Sequence, residues 1–424
     1  MTSVATSGSS REDWKNTILA GLANYIDAGS IVAGGAALAL WTEAYKMSNS
    51  LVGTIGALGP NAISAGVGAL IGGRLCDLFG RKRIYQYDML FYAFGMLWLV
   101  FAMNAWMVLL GFFLVGLAVG ADIPASWSLI AEIAPKGERG KHSGVAQVLW
   151  YLGPVVVLAL FLVLAPLGLL GARIVFAHLA ILAIALTFLR SSMHESQYWL
   201  DAQAAKKSGA QPDKGRFRDL FTRQHIGSMA FLTGMYVFWN LWAGTNGFFL
   251  PYILRTVGAQ TQFMSVALTM LSFGIGMASI YFVFMKVSDK VNQRLLFGIS
   301  ALIQVVGMAL FAVLPMTLPV ALLHIFLMAF GQGFGAQCFF QLWSSEMFPT
   351  LLRSTAQGFM FAMVRVSLGF WSFFVPVLTA TGFQTLAWIL TGFLVISGVI
   401  GVLFAPRNEG KSLEELEANL RANA

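Results

Sequence analysis

Charge is what this chain has least of. Only 11% of its 424 residues are Asp, Glu, Lys or Arg, while 58% are hydrophobic; a soluble globular domain carries about 25% charged residues. So few charges cannot cover a water-facing surface. An ordinary soluble enzyme and a disordered chain are therefore excluded, and lipid is the implied solvent. Cysteine is nearly absent too: Cys76 and Cys338 stand in separate segments, which excludes a disulfide framework. The five His residues show no H-x-x-x-H spacing, so no metal site is expected. No G-x-x-x-x-G-K-[ST] loop is present, which argues against ATP-driven pumping by this chain. No nucleophile, base and metal set converges, so an enzyme is not expected, and neither is a cofactor. The Ser- and Thr-rich start lacks an Ala-x-Ala pattern before a short apolar stretch, so the first apolar run reads as an anchor and not as a removable signal.

What is present is a series of long apolar runs. About 20 apolar residues cross a ~30 Å hydrocarbon core. Runs of that kind lie near 17–41, 51–75, 84–104, 106–132, 143–166, 173–190, 226–254, 262–285, 295–314, 318–345, 355–381 and 384–405. They predict an all-α membrane protein with twelve transmembrane helices. The net charge of +8 follows the same plan. With the N-terminus placed inside, only Lys46, Arg173 and Arg255 fall on the outer side and Arg365 falls within a run; the other Lys and Arg are all inside. That bias sets a multi-pass topology with both termini cytoplasmic in the cell membrane. It ties the basic charge to an anionic leaflet, with no nucleic acid as partner.

The polar stretch from Glu195 to Gln224 divides the chain in two. The expected organisation is a six-helix bundle over 1–192, a cytoplasmic linker over 193–225 with room for a short surface helix, a second bundle over 226–406, and a cytoplasmic tail over 407–424. The halves repeat. Glu132, Pro135 and Arg139 form E-x-x-P-x-x-x-R, and so do Glu346, Pro349 and Arg353; Asp77 and Asp289 recur at nearly the same offset. Parallel six-helix repeats mark transporters whose halves rock about a midplane site.

Several of these residues resemble the major facilitator superfamily. Gly73, Asp77, Gly80, Arg81 and Lys82 match its loop signature G-x-x-x-D-R-x-G-R-R, with Leu78 in place of the Arg. Arg139-Gly140, the stretch from His194 to Leu200, Glu346-x-Phe348-Pro349 with Arg353, and the segment from Pro406 to Glu415 resemble the sugar-porter branch. The matches span 73–417. The resemblance implies two pseudo-symmetric bundles working by alternating access on a small polar metabolite, as a monomer. It also implies that Asp77, Arg81, Glu132, Arg139, Glu195, Asp289, Glu346 and Arg353 form inter-helix salt bridges closing the cytoplasmic side. The chain departs from sugar porters at Phe112, where an Arg is usual, and at Asn240, Trp242, Gly244 and Asn246, a reduced seventh-span pattern. Arg365 in the eleventh span resembles the Arg of related organic-anion carriers.

An ionisable group at bilayer depth costs at least ~2.5–3.5 kcal/mol, so each is a functional candidate. Arg365 lies ~15 Å into its span. It reads as a contact for an anionic group, or else as a fixed partner of a carboxylate on another helix. Asp122 first, and Asp27 second, read as proton-coupling carboxylates; the bland alternative is that either neutralises Arg365 or caps a helix broken near Pro124. Asp88, only a few residues into the third span, reads as a structural ion-pair partner of Arg81 to Arg83 at the inner interface. Asn24, Gln147, Trp150, Asn240, Trp242, Asn246, Gln337, Gln341 and Trp343 are the remaining substrate-binding candidates, each also explicable as helix packing. The Gly331, Gly333, Gly335 stretch reads as close helix packing within a helix. The expected activity is secondary active transport, by proton symport, of a sugar acid or other organic anion. A neutral sugar or polyol carried by symport or uniport is the alternative, and a substrate sensor on the same fold is a distant third.

Overall fold

The computed structural model describes residues 10–191, 193, 195–208, 216–256, 258, 261–406, 408 and 411–422. Parts of the linker and tail named above, including 209, 211–213, 407 and 409–410, and His194 lie outside the described residues. Every regular element among those described is helical: α1 (Arg11–Ala44), α2 (Asn49–Leu58), α3 (Ile63–Phe79), α4 (Arg81–Val100), α5 (Ala105–Ile133), α6 (Arg139–Leu164), α7 (Leu169–Ser191), α8 (Gln197–Lys207), α9 (Arg223–Thr256), α10 (Gln262–Ser279), α11 (Met285–Val287), α12 (Gln293–Val313), α13 (Leu318–Gln332), α14 (Ala336–Glu346), α15 (Thr350–Ser372), α16 (Val375–Phe404) and α17 (Leu413–Ala422).

The twelve runs map onto these elements, the second and tenth each as a broken helix and the eighth as a continuous helix with a π-helical stretch at Ile280–Phe284. Among the described residues, nine segments are long and apolar enough to cross a membrane by length and composition. α4 and α15 carry more charge: α4 opens on Arg81, Lys82 and Arg83, and α15 holds the buried Arg353, Gln357 and Arg365. The eleventh run ends earlier than its hydropathy suggests. α15 stops at Ser372 and the chain enters α16 at Val375, which kinks at Gly382. The glycines at 331–335 do not sit within one helix. They interrupt it between α13 and α14, and the freed Gly331 carbonyl accepts from the Ser300 hydroxyl at 2.8 Å. α8 occupies the linker as a surface helix capped by the Ser196 side chain.

The first half packs α1 against α6 and α7, and α4 against α5 and α7; the second packs α9 and α12 against α16, and α13 against α10 and α12. The halves meet mainly through α3 with α15 and α6 with α10. These are the second and eleventh crossings, and the fifth and eighth, so the two contacts exchange under the repeat. The α3–α15 seam is close because glycines line it. A Cβ on Gly358 would stand 2.1 Å from the Ala69 carbonyl oxygen, and one on Gly73 would stand 2.2 Å from that of Ser354. Large apolar side chains such as Phe94, Phe188, Ile181, Leu302 and Leu403 face outward. The ionisable residues of the crossings face inward, as lipid requires.

Candidate functional site

At the end that carries the first turn of α1 and the last of α16, the halves are tied by buried charge. Gly80, at φ 101°, turns α3 into α4 and brings Arg81 beneath Asp77. Arg81 pairs with Asp77 at 3.1 Å and with Glu132 of α5 at 3.0 Å, and donates to the Thr350 carbonyl at 2.7 Å across the interface. Arg353 of α15 reaches the same Glu132 oxygen at 2.6 Å. Arg139 of α6 pairs with Glu346 of α14 at 2.8 Å and donates to the Lys411 carbonyl at 2.7 Å; Asn408 donates to Glu346 at 3.0 Å.

Two of the eight residues expected at the gate form no salt bridge among the described residues. Glu195 accepts the backbone N–H groups of Arg81 and Lys82 at 3.0 and 3.1 Å. Asp289 accepts those of Gly140 and Lys141 at 2.8 and 3.0 Å. Each carboxylate caps a helix start, where free N–H groups and the positive end of the helix dipole outcompete a mobile cation. Burial raises the proton affinity of Asp289 above that of an ordinary carboxyl, against the lowering pull of those two N–H groups and of Arg139.

Deeper in the bundle, Asp27, Asp122 and Arg365 are 1%, 0% and 7% exposed, so all three face the interior and not lipid. Their pairing differs from expectation. Arg365 has no carboxylate partner among the described residues; its Nη1 donates to the carbonyl and side-chain oxygens of Asn61, and its guanidinium lies 4.5 Å over the Phe361 ring. Asp122 neither neutralises Arg365 nor caps a break, since α5 runs unbroken past Pro124. It pairs with Arg190 of α7 at 3.3 Å. Arg190 also stacks 3.6 Å over Tyr85 and donates to the Leu19 carbonyl at 3.2 Å. Asp88 does not join Arg81 to Arg83: it lies two turns further along α4, buried beside Asp122. Both Asp27 oxygens and the Asn24 amide nitrogen are buried without a hydrogen-bond partner.

Amides and aromatic rings fill the seam between the halves. Gln147 of α6 donates to Gln341 of α14 at 2.6 Å. Ser128 donates to Gln357 at 2.8 Å and accepts from Ser354 at 2.9 Å. Trp127 lies edge-on to both Phe340 and Phe361, at 5.9 and 6.1 Å between ring centres. Tyr236 stacks on Phe340 at 4.0 Å and donates to Gln337. A continuous wall thus runs from Arg365 through Phe361, Trp127, Phe340 and Tyr236 to Gln337, with Asn240 one turn beyond Tyr236.

Of the substrate-binding candidates, Gln337, Asn240 and Arg365 join this wall, and Gln147 and Gln341 pair with each other across the seam. Trp150 packs on Tyr151 and on Phe273 of α10. Three candidates turn away into the second half. Trp343 stacks on Phe339 and donates to Gln293 at 2.7 Å, because its indole N–H needs a buried acceptor and Gln293 supplies one there. Trp242 and Asn246 line a small cavity of about 10 Å³, room for about one water, beside Phe311, His324 and Phe383. Sequence reasoning missed Arg190, Asn61, Trp127, Tyr236, Phe340 and Phe361. Only Arg190, a lone cation at the end of an apolar run, carried a signal that could have found it.

A profile of the Major Facilitator Superfamily matches residues 17–367. The chain belongs to the major facilitator superfamily. It is a membrane transporter of that superfamily and not an enzyme. It is 47% identical over 414 residues to the minor myo-inositol transporter IolF of Bacillus subtilis, covering 96% of this chain and 94% of that one. The fold is that of the proton:xylose symporter XylE bound to 6-bromo-6-deoxy-D-glucose, with a TM-score of 0.81 at 19% identity over 96% of this chain and 99% of that one. Against the inward open conformation of XylE from E. coli the TM-score falls to 0.67, at 20% identity over 96% and 99% of the two chains.

Proposed function

We propose that this transporter carries a neutral polyhydroxylated solute of the cyclitol class, such as myo-inositol, by alternating access coupled to protons, with the basic end in the cytoplasm of a cell whose membrane it spans as a monomer. The observation that carries the reading is the Gln147–Gln341 bond across the seam, a seam that the Trp127 and Phe340 rings also cross, with Tyr236 stacked on Phe340. A polyol needs donors and acceptors in equal supply, which amides provide, and apolar ring faces for its C–H surface. Amides that bond each other when no solute is present can exchange that bond for solute hydroxyls without stranding a buried group. The relative named a myo-inositol transporter supports the substrate class. Asp27 and Asp122 supply the buried carboxylates that proton coupling requires. Rocking then proceeds by breaking the basic-end ion pairs when solute and proton together favour the other state.

An organic anion is the second reading. It rests on Arg365, whose Nε is buried without a partner. Uptake of labelled myo-inositol into proteoliposomes under an imposed pH gradient tests the first reading, with sugar acids and inorganic anions as competitors. Uptake that sugar acids abolish and that R365A alone eliminates favours the anion. Indifference to the pH gradient removes proton coupling.

A further inference from the structure

Three carboxylates meet in the first half with one cation to balance them. Asp27 from α1, Asp88 from α4 and Asp122 from α5 are 1%, 7% and 0% exposed, and Arg190 from α7 is the one Arg or Lys paired with any of them among the described residues. Three negative charges against one, at bilayer depth, is a balance the protein does not sustain, because each unpaired buried charge costs several kcal/mol. Protons must make up the difference, and the geometry says where.

Asp122 holds the arginine through Oδ1, so it is the ionised member. Its other oxygen, Oδ2, is buried with no donor, and so are both oxygens of Asp88. The two carboxyls nevertheless lie within hydrogen-bond reach of each other. Two carboxylates that close repel each other, whereas a carboxylic acid and a carboxylate share a proton. Asp88 has no cation at pairing distance, which leaves it as the acid. The other groups facing the pair are Asp27 from α1, Tyr85 from α4 and Cys76 from α3; Arg365 of α15 reaches only Asp27.

We propose that Asp88 is the proton-binding residue of this transporter: in the state described its carboxylic acid O–H donates to Oδ2 of Asp122, and Arg190 holds Asp122 ionised to receive it. The inference rests on the proton-coupled reading of the function and adds a residue that the reading does not contain. When the proton leaves Asp88 for water, the departing charge leaves two adjacent carboxylates facing one guanidinium. That arrangement is stable only if α4 and α5 part or Arg190 shifts between them. Proton release and helix movement are thereby linked. A sodium ion is the competing occupant. No group of three or more His, Cys, Asp or Glu suited to holding a metal occurs among the described residues, which favours the proton.

Infrared spectroscopy of the purified full-length protein in lipid needs no substrate and decides the point. The wild type should show a protonated-carboxyl C=O band near neutral pH that is lost on alkalinisation. The component that Asp88 contributes to that band, beside the one expected from the unpaired Asp27, should be absent in D88N and shifted in D122N, where the acceptor is no longer charged. A wild type without such a band overturns the proposal even if the variants fail to fold, and so does an unchanged band in D88N or loss of the band on adding sodium chloride at constant pH. In proteoliposomes, pH-driven accumulation of myo-inositol should be lost in D88N while exchange across equal concentrations survives, and D88E should restore accumulation. If the wild type shows no pH-driven accumulation, the coupled reading of the function fails, while the infrared titration still decides whether Asp88 holds a proton.

Discussion

Thr355 is bound to Asp77 twice: its backbone N–H and its hydroxyl both donate to Oδ2, each at 2.7 Å. The bond crosses from α3 of the first half to α15 of the second. Its counterpart under the repeat crosses the other way, from Asp289 to the start of α6. Two carboxylates thus reach over the seam to opposite helices. The Arg81–Glu132–Arg353 cluster lies beside the first and the Arg139–Glu346 pair beside the second.

Removing the shared anion should open the basic end. In E132Q, Arg81 and Arg353 are left buried with one acceptor fewer between them, a loss of about 3–5 kcal/mol for the tied state. The tied-to-open ratio should fall roughly 100-fold or more, read as faster thiol labelling of a cysteine introduced behind the cluster. Labelling at the wild-type rate contradicts the gate. K136A breaks the Lys136–Glu415 pair, whose side chains are about half exposed, and should leave the ratio nearly unchanged.

The glycine seam makes a steric prediction. G358A places a methyl 2.1 Å from the Ala69 carbonyl oxygen, where backbone cannot give way. Overpacking of that kind costs about 1–3 kcal/mol, and it should appear as a lower melting temperature together with slower transport. G274A in α10 adds its methyl where nothing lies within 4 Å. It should leave both unchanged or raise stability by up to about 1 kcal/mol through helix propensity.

Gln147 and Gln341 should act as one unit. Q147A or Q341A alone strands its partner amide and should raise the KM for myo-inositol by roughly 10-fold, about 1–2 kcal/mol. The double variant should cost less than the sum of the two, since residues in direct contact couple. Strict additivity would separate these amides from a common solute.

A pH dependence follows from Asp289, which lies beyond the end of α11 and outside the spanning segments. Burial in the tied state raises its proton affinity above that of an exposed carboxyl. The tied state therefore takes up more protons at Asp289 than an opened state in which it is solvated. Lowering the pH from neutral into the raised range should favour the tied state, and raising it again should reverse the effect. The same labelling assay read against pH checks the sign. In D289N this part of the pH dependence should vanish.

Much of the architecture was legible in one dimension. Apolar run length gives crossings because only a closed helix satisfies its backbone in lipid. Basic residues mark one end, and the duplicated Glu–Pro–Arg motif marked Glu132, Arg139, Glu346 and Arg353 as partners at that end. The depth of Asp27, Asp122 and Arg365 was equally readable, since depth along a helix is counted at 1.5 Å per residue.

What a run of letters does not carry is rotation. Whether Trp343 faces the seam or the core of its own half depends on how α14 turns about its axis, and Gln293 decided it. Asp88 was assigned to the basic loop by its nearness in sequence to Arg81, yet two helical turns carry it to Asp122. Asp122 in turn met Arg190 and not Arg365, because α4, α5 and α7 pack in one half while α15 stands in the other. Composition and periodicity fix what lies in lipid and how deep; which buried charge meets which is set by helix packing, and only the assembled bundle contains that information.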